Sequence, residues 1–451
     1  MSQSWRRFTN LTEKRNTRIT FRSPLERLLP YCLAGLAFLL LLSGCTGSST
    51  QSDAMTHPRP TPTFKVSTPS SSGVAIRKFA DTWDNIHLFL TFDYNLADPA
   101  TSAKHYDFVW GAEMKNVTAF RSPNPGIFLT YYISFLRDTG TFGDKGAIHS
   151  LMYWKTTHPD WVLYQCDRVT PAYEFGDPDV PLNFADPEVI AWQVQTYARP
   201  ASQNGYDGIA ADNVNLQNSF GACGIYVHGK WVQLYTGQSD DPTWRNNVLT
   251  WLTRMHQALH HLQHPLDLIP NLSTGNLSPN DPIMQQVVNQ VDGVLNEGGF
   301  SQYGDGYLTG SDWLQAIQFM ESLQAQNKAY YLINQFHSIG HAEIEWAVAS
   351  YLMGKEHSTA MFISTVQGYG GDFWDTIFDA PIGHPTGPMY QVQHVYARDY
   401  SNGLILVNPS ATASYSVTLD TGDKFHDLYG LPVSGTVMMP PHSGMVLMNS
   451  S

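Results

Sequence analysis

From residue 86 to residue 365 the chain repeats one pattern. A short apolar run rich in β-branched and aromatic residues is followed, in most cases, by a stretch with helical spacing. The runs cover residues 86–92, 106–111, 127–135, 207–212, 266–272, 291–297, 330–335 and 360–365. Strands alternating with helices imply parallel β/α units. Eight such units imply an α/β fold of the closed (β/α)8 TIM-barrel type. Residues 161–166 read as an added short strand within the third loop.

The helices between the runs carry their own signals. Asp186-Pro187-Glu188 supplies an N-cap, a proline at the first helical position and an acid in the first turn. Val248, Leu252, Met255, Leu259 and Leu262 form one apolar stripe. Residues 313–323 and 344–353 are similar. After about residue 388 the pattern changes to short strands with no helix between them. Residues 395–400 and 404–407 flank Ser401-Asn402-Gly403, a hairpin signal. Residues 388–451 are expected to form a small antiparallel β-sandwich domain behind a barrel spanning 78–387.

The 451 residues suffice for more than one domain. A net charge of −13 and the lack of any basic patch argue against nucleic-acid binding. Seven of the Lys and Arg residues lie in 1–44 with only two acids, so the remainder is more acidic still. Such a body repels anionic polymers and suits a neutral or cationic glycan. Aromatics at 13 % against charged residues at 14 % fit a surface on which sugar rings stack, and equally fit any aromatic-rich fold.

Residues 1–45 read as an export signal: a basic region, an apolar run and small residues before a cut site. Leu42-Ser43-Gly44-Cys45 is similar to the bacterial lipobox, which makes Cys45 the lipidation site. The other reading is an uncleaved anchor helix. Both place the body outside the cytoplasm, on the bacterial cell envelope. Residues 46–77, rich in Ser, Thr and Pro, form a flexible tether. Of the remaining cysteines, Cys166 and Cys223 are either bridged or free.

Two of the runs open with Asp-Gly and close on an acid. They are Gly205-Tyr-Asp-Gly-Ile-Ala-Ala-Asp212-Asn213 and Val291-Asp-Gly-Val-Leu-Asn-Glu297-Gly-Gly-Phe300. Residues at the C-terminal ends of barrel strands face the active site, and a pair of carboxyl groups is what glycosidic cleavage requires. Asp212 is expected to be the nucleophile or charge-stabilising carboxylate, and Glu297 the general acid. Leu295 and Phe300 would give Glu297 a partly apolar surrounding, and Gly298-Gly299 room for substrate. Asn213 and Gln335 are candidates to bind sugar hydroxyls. Asp93 either binds a hydroxyl or caps its loop. Asp372 and Asp375 compete with Glu297 for the acid's role. Trp110, Tyr131 and Trp374 are candidate stacking platforms. His256, His260 and His264 recur every four residues on one helix, which suits a metal, but lack a His-Glu-x-x-His pattern and read as a solvated face. His337, His341 and Glu343 follow the seventh strand and are the alternative metal set. No cofactor or metal is expected, and a monomer is.

The stretch Leu182-Asn-Phe-Ala-Asp-Pro-Glu-Val-Ile190, followed by the fourth-strand motif ending Asp212-Asn213, resembles hypothetical glycosyl hydrolase family 15. This group of bacterial glycoside hydrolases is related to the α-galactosidase and endo-polygalactosaminidase barrels and is distinct from the glucoamylase family of the same number. The resemblance covers roughly residues 80–450. It implies a barrel, a glycosidic substrate, a nucleophile ending strand four (Asp212) and an acid ending strand six (Glu297). Strand six ends here in Glu, where the α-galactosidase relatives commonly have Asp. The expectation is thus a glycosidase acting on an extracellular poly- or oligosaccharide, with a non-catalytic glycan-binding lipoprotein and a metal-dependent hydrolase as the alternatives.

Overall fold

The computed structural model describes residues 83–138, 148–174, 179–273, 277–366, 368–420 and 424–450. The expected export signal with Cys45 and the expected tether lie outside the described residues. No helix among the described residues is long and apolar enough to cross a membrane.

Eight parallel strands appear at the eight runs: β1 (Phe89–Thr91), β2 (Phe108–Trp110), β3 (Phe128–Ser134), β4 (Gly208–Asn215), β5 (Asp267–Ser273), β6 (Gly293–Asn296), β7 (Ala329–Phe336) and β8 (Thr359–Thr365). Each pairs in parallel with the next. A parallel bridge between Leu88 and Met361 brings the first strand against the last, and the Met361 amide donates to the His87 carbonyl at 3.0 Å. The sheet therefore closes into a barrel. Its connections carry α1 (Pro99–Ser102), α2 (Val117–Arg121), α3 (Pro187–Gln193), α4 (Pro242–His260), α5 (Pro282–Asn289), α6 (Gly310–Gln324) and α7 (His341–Gly354).

Local chemistry sets the helix starts. Asp98, Asp186, Asp241 and Asp281 each precede a proline and accept a hydrogen bond from a first-turn amide, so four helices begin on the same Asp-Pro device. The stripe on α4 is buried at Val248, Leu252, Met255 and Leu259. The β3–β4 and β4–β5 connections share a small satellite sheet. Its strand Tyr164–Gln165, within the added strand expected there, pairs with Ala222–Val227. A Cys166–Cys223 disulfide staples it, with Cα atoms 5.0 Å apart.

The Asp-Gly pairs explain themselves at the N-terminal ends of the strands. Asp207 precedes β4, and its Oδ2 accepts the Leu129 amide of β3 at 2.8 Å and a hydrogen bond from Arg121. Asp292 precedes β6, and its Oδ2 accepts the Leu268 amide of β5 at 2.9 Å. Each aspartate thus satisfies the second amide of the preceding strand, a donor the ladder leaves open there. The glycine that follows is demanded by crowding. A Cβ on Gly208 would lie 2.8 Å from the Asp267 carbonyl oxygen, and one on Gly293 2.9 Å from Cβ of Ala329.

Beyond the barrel, β9 (Tyr390–Val392), β10 (Val395–Tyr400), β11 (Gly403–Asn408), β12 (Tyr415–Thr418), β13 (Phe425–His426), β14 (Pro432–Val433), β15 (Thr436–Met439) and β16 (Ser443–Asn449) form two antiparallel sheets. The β10–β11 hairpin turns at Ser401-Asn402, as its sequence signals. Val395, Leu406, Val417, Val437, Met439 and Leu447 fill the layer between the sheets. Buried Arg398 of β10 donates to the carbonyls of Leu352, Met353 and Lys355 at 3.2, 2.9 and 2.7 Å, capping the C-terminal end of α7 with a cation.

Candidate functional site

The C-terminal ends of β3 to β8 all contribute to one polar cluster. At its centre β4 carries a bulge. Pro270 on β5 pairs with Ala211, yet Leu272 pairs with Val214, so Asn271 faces both Asp212 and Asn213. Asn213 takes a left-handed φ of 59°, which asparagine tolerates better than most residues. Bulges gather beside active sites because they re-aim side chains, and this one turns Asp212, Asn213 and Asn271 toward the same point.

Asp212 is held on both oxygens. Oδ1 accepts from the Asn213 amide at 2.9 Å and from Asn271 Nδ2 at 3.0 Å. Oδ2 accepts from the Tyr132 hydroxyl and from Asn213 Nδ2, each at 2.9 Å. Glu297 follows directly on β6. Its Oε2 accepts from Asn271 Nδ2 at 2.7 Å and its Oε1 from the Tyr369 hydroxyl at 2.6 Å. The Tyr369 oxygen in turn accepts from Gln335 Nε2 at 2.5 Å. One nitrogen of Asn271 therefore touches both carboxyl groups, which puts Asp212 Oδ1 and Glu297 Oε2 less than about 6 Å apart, within the span that two-carboxylate glycosidases use.

The two acids stand in different surroundings. Asp212 is half-buried and accepts four hydrogen bonds. Burial pushes the Glu297 carboxyl above the usual range, the Asp212 charge pushes the same way, and the Tyr369 and Asn271 hydrogen bonds oppose them. Burial also holds the Tyr132 and Tyr369 hydroxyls protonated, so both remain donors. A cavity of about 240 Å³ opens here, lined by Glu174, Asn213, Asn215, Phe220, Asn271, Glu297 and Tyr303. Glu174 meets Arg137 at 2.5 Å, which also meets Asp179 at 2.6 Å, and burial pushes the Glu174 carboxyl up to about 8 against the pull of that guanidinium.

Several residues expected at the site do other work. Trp110 is inside the barrel wall, donating Nε1 to the Ile269 carbonyl at 3.2 Å, with its ring edge-on to Tyr132. Tyr131 is buried against Tyr206. Neither ring can face a sugar. Buried Asp93 accepts the Glu113 amide at 3.0 and 3.1 Å and Asn116 Nδ2 at 2.9 Å, so it caps its loop, and burial lifts its carboxyl to about 6. Asp372 accepts from Ser102 Oγ at 2.6 Å and from the Tyr106 hydroxyl at 2.5 Å, which ties the loop after β8 to the loop after β1. Asp375 N-caps the short helical turn Thr376–Asp379. The half-buried Trp374 ring stacks on His105 at 3.9 Å. Gly298 makes room for the Tyr303 ring, 3.2 Å from a Cβ placed there, and Gly299 lies against the Ile333 carbonyl. Leu295 and Phe300 are core residues.

The His337, His341 and Glu343 set is not gathered. His341 stacks on Tyr429, His337 is exposed, and Glu343 Oε2 accepts the Gly340 amide at 2.9 Å as the cap of α7. Sequence reasoning missed Tyr132, Asn271, Glu174, Tyr303 and Tyr369. Tyr132 adjoins Tyr131 on one strand, and alternation puts only one of the two on the inner face.

The sequence profile of hypothetical glycosyl hydrolase family 15 matches residues 124–404, well over half of the chain. No curated protein matches. Among solved structures, the chain is similar to an α-amylase from Malbranchea cinnamomea, at 12% identity and a TM-score of 0.44, covering 81% of this chain and 97% of that one. It is also similar to an α-amylase from Geobacillus thermoleovorans complexed with acarbose, at 10% identity and a TM-score of 0.45, covering 82% and 99%. A family 39 glycoside hydrolase from Bacteroides cellulosilyticus is similar at 10% identity and a TM-score of 0.46, covering 81% of each chain.

Proposed function

The chain belongs to hypothetical glycosyl hydrolase family 15 and is a glycosidase with a carbohydrate substrate, and we propose that it cleaves an O-glycosidic bond by double displacement between Asp212 and Glu297. Asp212 attacks the anomeric carbon while Glu297 gives its proton to the departing oxygen, so the glycosyl–oxygen bond breaks as the ester to Asp212 forms. Glu297, now anionic, takes a proton from water. The resulting hydroxide attacks the anomeric carbon and frees Asp212 as carboxylate. Both transition states are oxocarbenium-like and are stabilised by the anionic member of the pair.

The observation that carries this reading is the shared Asn271 nitrogen, 3.0 Å from Asp212 and 2.7 Å from Glu297. The separation it imposes suits a retaining enzyme, whose carboxyl groups stand ~5–5.5 Å apart, better than an inverting one, which needs ~6.5–9.5 Å to admit water between acid and base. The surroundings support these roles: four donors orient Asp212, and burial raises the proton affinity of Glu297, as a general acid needs.

We propose further that the substrate is a neutral or cationic glycan, in line with the acidic chain, and that the protein acts outside the cytoplasm, anchored through lipid on Cys45. Labelled fatty acid incorporated into the wild type and absent from Cys45→Ala would support the anchor, and equal labelling would reject it. The activity is tested on a panel of polysaccharides with Asp212→Asn as control. Proton NMR of the first product then reads the anomer: retention is expected, and inversion would overturn the double displacement.

A further inference from the structure

At the opposite end of the barrel, we infer that His256, His260 and Asp292 form a binding site for a divalent transition-metal ion of the zinc(II) class. His256 and His260 stand four residues apart on α4, so both imidazoles leave the same face. Each turns Nε2 toward a different oxygen of Asp292: His256 lies 3.3 Å from Oδ1 and His260 3.0 Å from Oδ2. The donor atoms of the three residues lie within 4.8 Å of one another, and no other group of three His, Cys, Asp or Glu residues does so among the described residues.

The spacing fits the chemistry. Zinc binds imidazole nitrogen and carboxylate oxygen at ~2.0–2.2 Å in a tetrahedron, which sets its ligands about 3.3 Å apart from each other. The two nitrogens approach different oxygens of Asp292, so the ion would draw one of those oxygens toward both, within the 4.8 Å that the three donor atoms already span. Two nitrogens and a carboxylate also select a borderline ion over calcium or magnesium, which prefer all-oxygen shells. The three side chains are 15–22 % exposed, sheltered yet open enough for an ion to enter and for water to complete the shell.

The ion would clamp α4 to the start of β6, at the end of the barrel away from the carboxylate pair. The site is structural and independent of the glycosidase reading. The test uses the full chain without an affinity tag, stripped with chelator and titrated with zinc chloride in a calorimeter, with a thermal melt alongside. One zinc per chain is expected, at micromolar affinity or tighter, with a melting temperature a few degrees higher. His256→Ala/His260→Ala should keep its fold by circular dichroism and lose both signals. Asp292→Asn also removes the Leu268 cap, so the histidine pair carries the test. No saturable binding in the wild type, or undiminished binding in the double variant, would overturn the site.

Discussion

The two ends of the barrel use acidic side chains in opposite ways. At the N-terminal ends, Asp207 and Asp292 each take a backbone amide of the preceding strand, Leu129 at 2.8 Å and Leu268 at 2.9 Å. Their charge is spent on holding strand against strand. At the C-terminal ends, Asp212 and Glu297 are held chiefly by side chains: Tyr132, Asn213, Asn271 and Tyr369. A backbone donor fixes a carboxylate to the scaffold, whereas side-chain donors can orient it toward a third party and set its proton affinity. The same two strands carry both kinds, since Asp207 precedes β4 and Asp212 lies in its C-terminal half, while Asp292 and Glu297 flank β6. Chemistry at the C-terminal face and stability at the other is the general division in this architecture.

Neutralising acids one at a time breaks or sharpens that contrast. The largest effect belongs to Asp212→Asn. Turnover should fall roughly 10⁴-fold or more, about 5 kcal/mol of transition-state stabilisation, while the melting temperature barely moves. Steady-state kinetics and a thermal melt on one preparation check both halves. A variant that unfolds, or that retains near-normal turnover, would place Asp212 with the structural acids.

Glu297→Gln should cost ~10²–10⁴-fold on a natural glycoside. The loss should shrink on an aryl glycoside whose leaving group needs no proton. The wild type loses activity as pH rises through the Glu297 value, because the working form is protonated and that value is raised. The variant has no proton to lose there, so its profile should be flat over the same range. An equal loss on both substrates would remove the general-acid role.

Asp207→Asn is expected to behave in the reverse sense. It leaves Arg121 without its carboxylate and weakens the Leu129 cap, at a cost of about 1–3 kcal/mol. Denaturant unfolding should show the loss, and turnover per folded molecule should stay near wild type. Lost turnover without lost stability would collapse the distinction between the two ends.

The sequence carried this contrast further than it carried the details. All eight strands were legible because each is a short apolar run, and Asp212 and Glu297 because each terminates such a run. The Asp-Gly openings stood in plain sight, yet their purpose depends on the neighbouring strand, which periodicity does not reveal. The Tyr131 and Tyr132 pair shows the limit more sharply. Moving one residue along a strand exchanges core for cavity, and the parity is set by pairing with β4, where Tyr132 meets Ala210. Asn271 was invisible for a related reason: only the bulge opposite it turns its amide onto both acids. Trp110 has the composition of a sugar platform and the burial of a core residue, and composition does not separate the two. His256 and His260 meet Asp292 only because α4 packs beside the start of β6.

The smallest effect tests whether the side-chain donors tune the acid or merely hold it. The Tyr369 hydroxyl donates to Glu297 Oε1 at 2.6 Å, and such a bond favours the anion, so it lowers a proton affinity that burial raises. Tyr369→Phe keeps the ring and removes the donor. Glu297 should then hold its proton to higher pH, and the alkaline limb of kcat/KM should move upward while kcat at the optimum falls tenfold or less. A purely structural role predicts a lower rate with the limb in place. A downward shift would mean that the hydroxyl acts on some other group, and Glu297 would then not be the residue that sets the limb.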